Sequence, residues 1–227
     1  MYNMPIMKRN DDEALCALCG VEKNDRICRT AGGRGPSFCP TLNRASRITG
    51  FTDEYAKEDV GRLALEASRQ EAECYANRGE KPFVLFPTKP RLQETWEFAR
   101  RMGYRKLGLA FCAGLQKEAA AVHKLFEDQG FQVVSVVCKV GGVPKEVIGI
   151  REEEKIMIGS PETMCNPVSQ AGVLNDAGVD MAMLLGLCVG HDSLFIRYAK
   201  APVTVLAVKD RVTGHNQIGR ASCRERV

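Results

Sequence analysis

Met183–Ser193, Met-Leu-Leu-Gly-Leu-Cys-Val-Gly-His-Asp-Ser, reads as a buried strand that ends in a thiol, glycines and an imidazole. A short apolar run stopped by glycine is a strand signal. Cys188 and His191 then stand three residues apart at its C-terminal end. That spacing suits two ligands on one soft metal ion, or a thiol nucleophile with an acid/base partner. In the catalytic reading Cys188 attacks, or serves as an open-site ligand, and His191 moves the proton.

Two more cysteines occupy the same kind of position. Cys112 and Cys138 each fall within two residues of the end of an apolar, β-branched run, as Cys188 does. In a parallel sheet all strand ends of one sense share an edge, which is where ligands bind in such folds. Cys165 joins them if the segment before its helix crosses that edge, and His215 follows the fourth strand in a comparable place. The candidate cofactor site is therefore Cys112, Cys138, Cys165, Cys188, His191 and His215. One free cysteine alone is commonly a small core residue, and Cys74, on the apolar stripe of a helix, reads that way. Three at equivalent strand ends point to a shared site. The glycines nearby (Gly114, Gly141, Gly142, Gly186, Gly190) allow close backbone approach but match no phosphate-loop or dinucleotide fingerprint. Helix N-termini after the first and third strands would favour thiolates.

A separate group opens the chain. Cys16-Ala-Leu-Cys19-Gly is followed by eight residues, Cys28, ten residues and Cys39-Pro40. The Cys-x-x-Cys pair lets a loop aim two sulfurs at one ion, and the segment is too poor in apolar residues to hold shape without a cross-link. Cys16, Cys19, Cys28 and Cys39 are thus a candidate metal site, for zinc or an iron–sulfur cluster. Binding there would be the folding energy of the segment.

The elements that must position these groups follow in order. After a basic linker (residues 43–49), an amphipathic helix runs from Thr52 to about Asn77. Phe83–Phe86 is an edge strand or a packed loop. A helix from Pro90 stops at Gly103. Then come strand 106–110, helix 115–129, strand 131–137, a long excursion over 143–159 with a short helix, and a helix starting near Pro161. Strand 181–187, helix 194–199 and strand 203–208 complete the pattern. His123 reads as a surface residue. The expected fold is α/β: a Rossmann-like parallel sheet of about four strands with helices on both faces, preceded by a small Cys-rich metal knuckle. The expected divisions are 1–49 for the Cys-rich segment and linker, 50–217 for the α/β domain, and 218–227 for a non-native tail.

Composition narrows the function class. The 227 residues are 44% hydrophobic and 26% charged, with net charge +4 and ten cysteines. Scattered Lys and Arg at that charge argue against nucleic acid, and no run nears the ~20 apolar residues of a membrane span. With no apolar signal region in the first twelve residues, a cytoplasmic protein is expected. In that reducing compartment, so many thiols indicate metal or thiol chemistry rather than disulfides. The partners expected are a metal ion and a small molecule or protein, with neither nucleic acid nor membrane. Ile218–Val227 reads as the translated read-through of a common sequencing adapter. On that reading Cys223 is not native, Gln217 is a junction codon, the charge becomes +2, and the natural chain continues past Asn216.

Gly108-Leu-Ala-Phe-Cys112-Ala-Gly-Leu, Cys138-Lys-Val-Gly-Gly142, Met164-Cys-Asn-Pro167, Gly186-Leu-Cys-Val-Gly-His-Asp-Ser193 and Lys209-Asp-Arg-Val-Thr-Gly-His-Asn216 also carry a resemblance. The chain resembles the uncharacterised prokaryotic DUF1847 family from Cys16 to Asn216. Some members of that family carry a metal-binding label, so the resemblance implies metal binding and no particular reaction. Proline follows the last motif in the family, where this chain has Gln217. The N-terminal cysteine spacing is longer than the family's form. Together the residues predict a metal-binding protein with a four-cysteine site and a Cys/His site at the sheet edge. It would be either a redox or thiolate-chemistry enzyme, or a non-catalytic metal sensor or carrier. A third reading leaves one structural zinc knuckle and inert core thiols.

Overall fold

A computed structural model of the chain describes residues 13–215, and the expected adapter-derived tail lies outside them. The chain divides into two compact units at Leu65/Glu66.

The first unit holds short 3-10 turns at Cys16–Leu18 and Lys23–Asp25. Helices α1 (Pro40–Asn43) and α2 (Ala45–Thr52) follow, then a 3-10 turn at Asp53–Ala56. Pro40 at the first helical position starts α1, where its missing N–H costs nothing. The expected basic linker is therefore helical. Thr49 and Thr52 donate back to the Ala45 and Ile48 carbonyls, and Arg47 lies over the Phe51 ring at 5.8 Å. None of residues 13–65 is buried. What orders this unit is polar: Arg26 donates to the Val21 carbonyl at 2.8 Å, and Arg34 pairs with Asp25 at 2.9 Å.

Helix α3 spans Glu58–Glu73, starting later and ending earlier than the periodicity predicts. A small antiparallel ladder joins β1 (Tyr75–Ala76) to β2 (Phe86–Pro87). Of the expected edge strand or packed loop at Phe83–Phe86 only Phe86 lies in a strand, β2, and all four side chains are exposed. Helix α4 is Arg91–Arg101. The α/β core then runs β3 (Lys106–Phe111), α5 (Gln116–Asp128), β4 (Gln132–Val137), α6 (Pro167–Asp176), β5 (Met181–Leu185), α7 (His191–Tyr198) and β6 (Val203–Ala207). The four long strands form one parallel sheet in the order β4-β3-β5-β6.

Alternation along β3 sends its residues to opposite layers. Leu107, Leu109 and Phe111 pack with Met181, Met183, Ala119, Val122 and Phe126, the α4/α5 side. Ala110 packs with Ala182, Leu184, Ala171, Leu174 and Phe195, the α6/α7 side. Both faces of the sheet are thus covered. Asp180 pins the register from the other end, accepting from the Arg105 and Lys106 amides at 2.7 and 2.8 Å. The chain order reverses across β3 and β5, which places the crevice of this sheet at their C-terminal ends.

Between β4 and α6 the excursion contains two 3-10 turns, Lys145–Ile148 and Glu152–Glu154. It folds on ion pairs rather than apolar contacts. Lys155, with a side chain 5% exposed, holds Glu146 and Glu152 at 2.6 and 2.7 Å, and Lys145 pairs with Glu162. Helix α6 begins six residues after Pro161, because Pro167 biases Asn166 away from helical angles. Asn166 instead caps the helix, accepting from the Ser169 amide at 3.1 Å.

Candidate functional site

Two of the strand-end thiols, Cys112 and Cys138, meet Cys165. Cys112 follows β3 directly, its amide continuing the ladder to the Leu185 carbonyl at 3.1 Å. Cys138 follows β4 and donates its amide to the Phe111 carbonyl at 2.8 Å. Cys165 arrives on the returning chain just before α6, where the Asn166 amide bonds the Cys138 carbonyl at 2.7 Å. The Cys165 and Cys138 sulfurs are 3.8 Å apart, and the Ala113 amide donates to the Cys138 sulfur at 3.3 Å. Cys138 is 3% exposed, while Cys112 and Cys165 are half-buried.

The electrostatics follow from one shared proton. Cys112 is drawn down to about 4, first by a hydrogen bond from the Cys138 thiol, which outweighs its burial. The Gly114 amide and the Lys209 ammonium add to that. Cys165 is drawn down to about 5, again first by the Cys138 thiol, with the positive charge of Lys139 and the nearby His191 in support. Cys138 is pushed far up, because its proton serves Cys112 and Cys165 and because it is buried. A single S–H serves one acceptor at a time, so the trio shares that donor between its two outer sulfurs.

Of the other candidates, His191 stands near Cys165, whereas Cys188 and His215 have partners of their own. Cys188 takes its hydrogen bond from the Arg211 guanidinium at 3.2 Å. His191 opens α7 and meets Cys188 through the backbone, its amide donating to the Cys188 carbonyl at 3.0 Å. The His191 Nδ1 is buried with no hydrogen-bond partner among the described residues. His215 accepts from the Asp210 amide at 2.9 Å and so closes its own loop. Cys74 is buried against the Gln70 carbonyl at 3.1 Å, as a core residue. His123 contacts Ser135 and Glu127 on the surface of α5.

Among the described residues no group of three or more Cys, His, Asp or Glu side chains is arranged to hold a metal ion. Cys16 and Cys28 are exposed and Cys19 and Cys39 half-buried, all as free thiols. Their arrangement does not fit a ready-made ion site. The sheet-edge pair fits better, since two sulfurs each about 2.3 Å from one tetrahedral ion stand about 3.8 Å apart.

Several contributors carry no signal in the sequence. Lys209 and Arg211 come from beyond β6, and Lys139, which donates to the Thr163 carbonyl at 2.5 Å, is one lysine among many. Gln170 of α6 is fully buried and donates to the Phe111 and Val136 carbonyls at 3.2 and 2.8 Å, tying the strand ends that carry Cys112 and Cys138. A buried amide in an apolar helix face was the one available clue. A cleft of about 370 Å³ lies around Cys74, Arg91, Glu94 and Thr204 and includes none of the trio.

The family model described as a protein of unknown function, DUF1847, matches residues 39–206. The chain belongs to the DUF1847 family. An uncharacterised protein of Methanocaldococcus jannaschii, MJ0455, is 42% identical over 167 residues, covering 74% of this chain and 79% of that protein. The DUF1847 match takes in Cys39, the trio, Cys188 and His191, whereas Cys16, Cys19, Cys28 and His215 fall outside it.

Proposed function

We propose that this DUF1847 protein binds one soft metal ion at the sheet edge, through Cys138 and Cys165 with Cys112 and His191 as further donors. The observation that carries this reading is the 3.8 Å separation of the Cys138 and Cys165 sulfurs. It suits one tetrahedral ion such as zinc; cysteines on separate irons of a cluster stand further apart. Two thiolates already paired with cations lower the cost of assembling negative ligands. Only the Cys138 proton has to leave, released to solvent as the ion binds.

A zinc ion held by Cys138, Cys165 and one of the further donors would supply a Lewis-acidic centre with an open position, whereas all four donors would close it. Around it, Lys209 and Lys139 would balance the thiolate charge, and Gln170 would hold the two strand ends in register. Binding that exchanges freely makes the protein a sensor or carrier, whereas turnover at Cys188 or His191 makes it an enzyme. The N-terminal cysteines are a second proposed site. A unit with no buried residue among 13–65 has little apolar core to hold it, and an ion would supply the missing cross-link. Both sites suit a reducing cytoplasm.

Cobalt titration of the full chain tests the assignment, because thiolate-to-cobalt charge transfer is visible. The sheet-edge band should be lost in Cys138→Ser and in Cys165→Ser and kept in a Cys16→Ser/Cys19→Ser double variant. In the Cys16→Ser/Cys19→Ser background, a band that survives both sheet-edge substitutions refutes the proposal. Iron and acid-labile sulfide in the anaerobically purified chain would replace the single ion with a cluster.

A further inference from the structure

The same two sulfurs are arranged for a second chemistry. We propose that Cys165 and Cys138 form a dithiol pair that reduces small disulfides, with Cys165 as the attacking sulfur and Cys138 as the resolving one. This uses the sulfurs of the metal site but not the metal, so it stands or falls separately.

Three observations carry it. The sulfurs are in contact at 3.8 Å, and closing to a bond of about 2.05 Å needs side-chain rotation only if the backbones stay together. They are kept together, since the Asn166 amide bonds the Cys138 carbonyl at 2.7 Å and Asn166 also caps α6. Exposure then separates the roles. Cys165 is half-buried and can meet a small substrate, while Cys138 is 3% exposed and meets only what Cys165 brings. The pair is remote in sequence, so no Cys-x-x-Cys motif announces it.

The steps balance as ordinary thiol–disulfide exchange. The Cys165 thiolate attacks one sulfur of R–S–S–R, forming the Cys165–S–S–R bond and expelling RS⁻. Cys138 then attacks the Cys165 sulfur, its proton leaving on the departing RSH. The products are a Cys138–Cys165 disulfide and two reduced thiols, with two electrons moved from the protein to the substrate. A second thiol compound returns the pair to the dithiol by the reverse exchange.

The test uses the full chain, reduced and stripped of metal, given one equivalent of hydroxyethyl disulfide. Remaining thiols are blocked with N-ethylmaleimide and the peptides mapped by mass. Wild type should yield a peptide linked through Cys138 and Cys165. In Cys138→Ser the hydroxyethyl group should stay on Cys165, and Cys165→Ser should give no such link. A hydroxyethyl group that persists on Cys165 in wild type overturns the proposal. So does an unmodified Cys165, or a link from Cys138 to Cys112. The wild-type map decides even if a variant fails to fold. Cobalt binding without the link would remove the dithiol chemistry alone, and the link without cobalt binding would remove the metal reading alone.

Discussion

Replacing Cys138 with alanine tests the shared-proton account of the site. Cys112 titrates near 4 chiefly because the Cys138 thiol donates to it, with the Gly114 amide and Lys209 in support. Alanine removes that donor and leaves the other two. The Cys112 midpoint should then rise toward the ~8.5 of a free thiol. A rate at one pH would hide the change. At pH 6 a thiol titrating near 8.5 is roughly one part in 300 thiolate. Its thiolate is also roughly a hundredfold more nucleophilic than one titrating near 4, for a Brønsted slope of ~0.45. The two factors nearly cancel, leaving about a threefold loss. The pH profile separates them. Iodoacetamide alkylation of Cys112, followed by peptide mass from about pH 4 to about pH 9, should show the midpoint move up by more than about one unit. Cys165, held near 5 by the same donor, should move in the same direction. A folded Cys138→Ala protein with an unchanged Cys112 profile would refute the reasoning.

Three further outcomes follow from the packing. Burial alone would raise the Glu97 carboxyl, but hydrogen bonds from Lys89, Gln70 and Gln93 outweigh it and hold it at about 2. The folded value lies below the unfolded one, so this stabilisation is complete above the ordinary ~4.3 and is lost as pH falls toward about 2, at most ~3 kcal/mol. Glu97→Gln should therefore be less stable than wild type at neutral pH by urea denaturation, with the gap closing in acid. Gln170→Leu removes the amide that ties the Phe111 and Val136 carbonyls and should cost about 1–3 kcal/mol in the same assay; an unchanged midpoint would mean the tie is idle. Gly186 has φ +66°, and a Cβ there would sit 2.2 Å from the Leu115 Cδ1. Gly186→Ala should lower stability by about 2–3 kcal/mol in a thermal melt.

The α/β class was legible in the sequence because each core strand is a short β-branched or apolar run and each covering helix repeats near 3.6 residues. Those periods report how one segment meets a core, and β3, β4, β5 and β6 fall within two residues of the runs that predict them. Departures occur where other forces rule. The excursion folds around Lys155 and its two glutamates, which have no period to read. The exposed α2 carries only Ile48 and Phe51 as large apolar residues, too few to set a helical period, so the sequence there reads as a linker.

For the site, the sequence alone determined that thiols stand at the C-terminal ends of successive strands, since that needs only strand boundaries and a parallel sense. Which thiols meet was decided by the tertiary structure. The order β4-β3-β5-β6 makes the strands of Cys112 and Cys138 neighbours, and the Asn166 amide brings Cys165 onto them from the excursion. Cys188, on the far side of β3, is met instead by Arg211 from beyond β6. Local pattern carries the face and the end of a strand; strand order and the path of the returning chain come only from how the whole core packs.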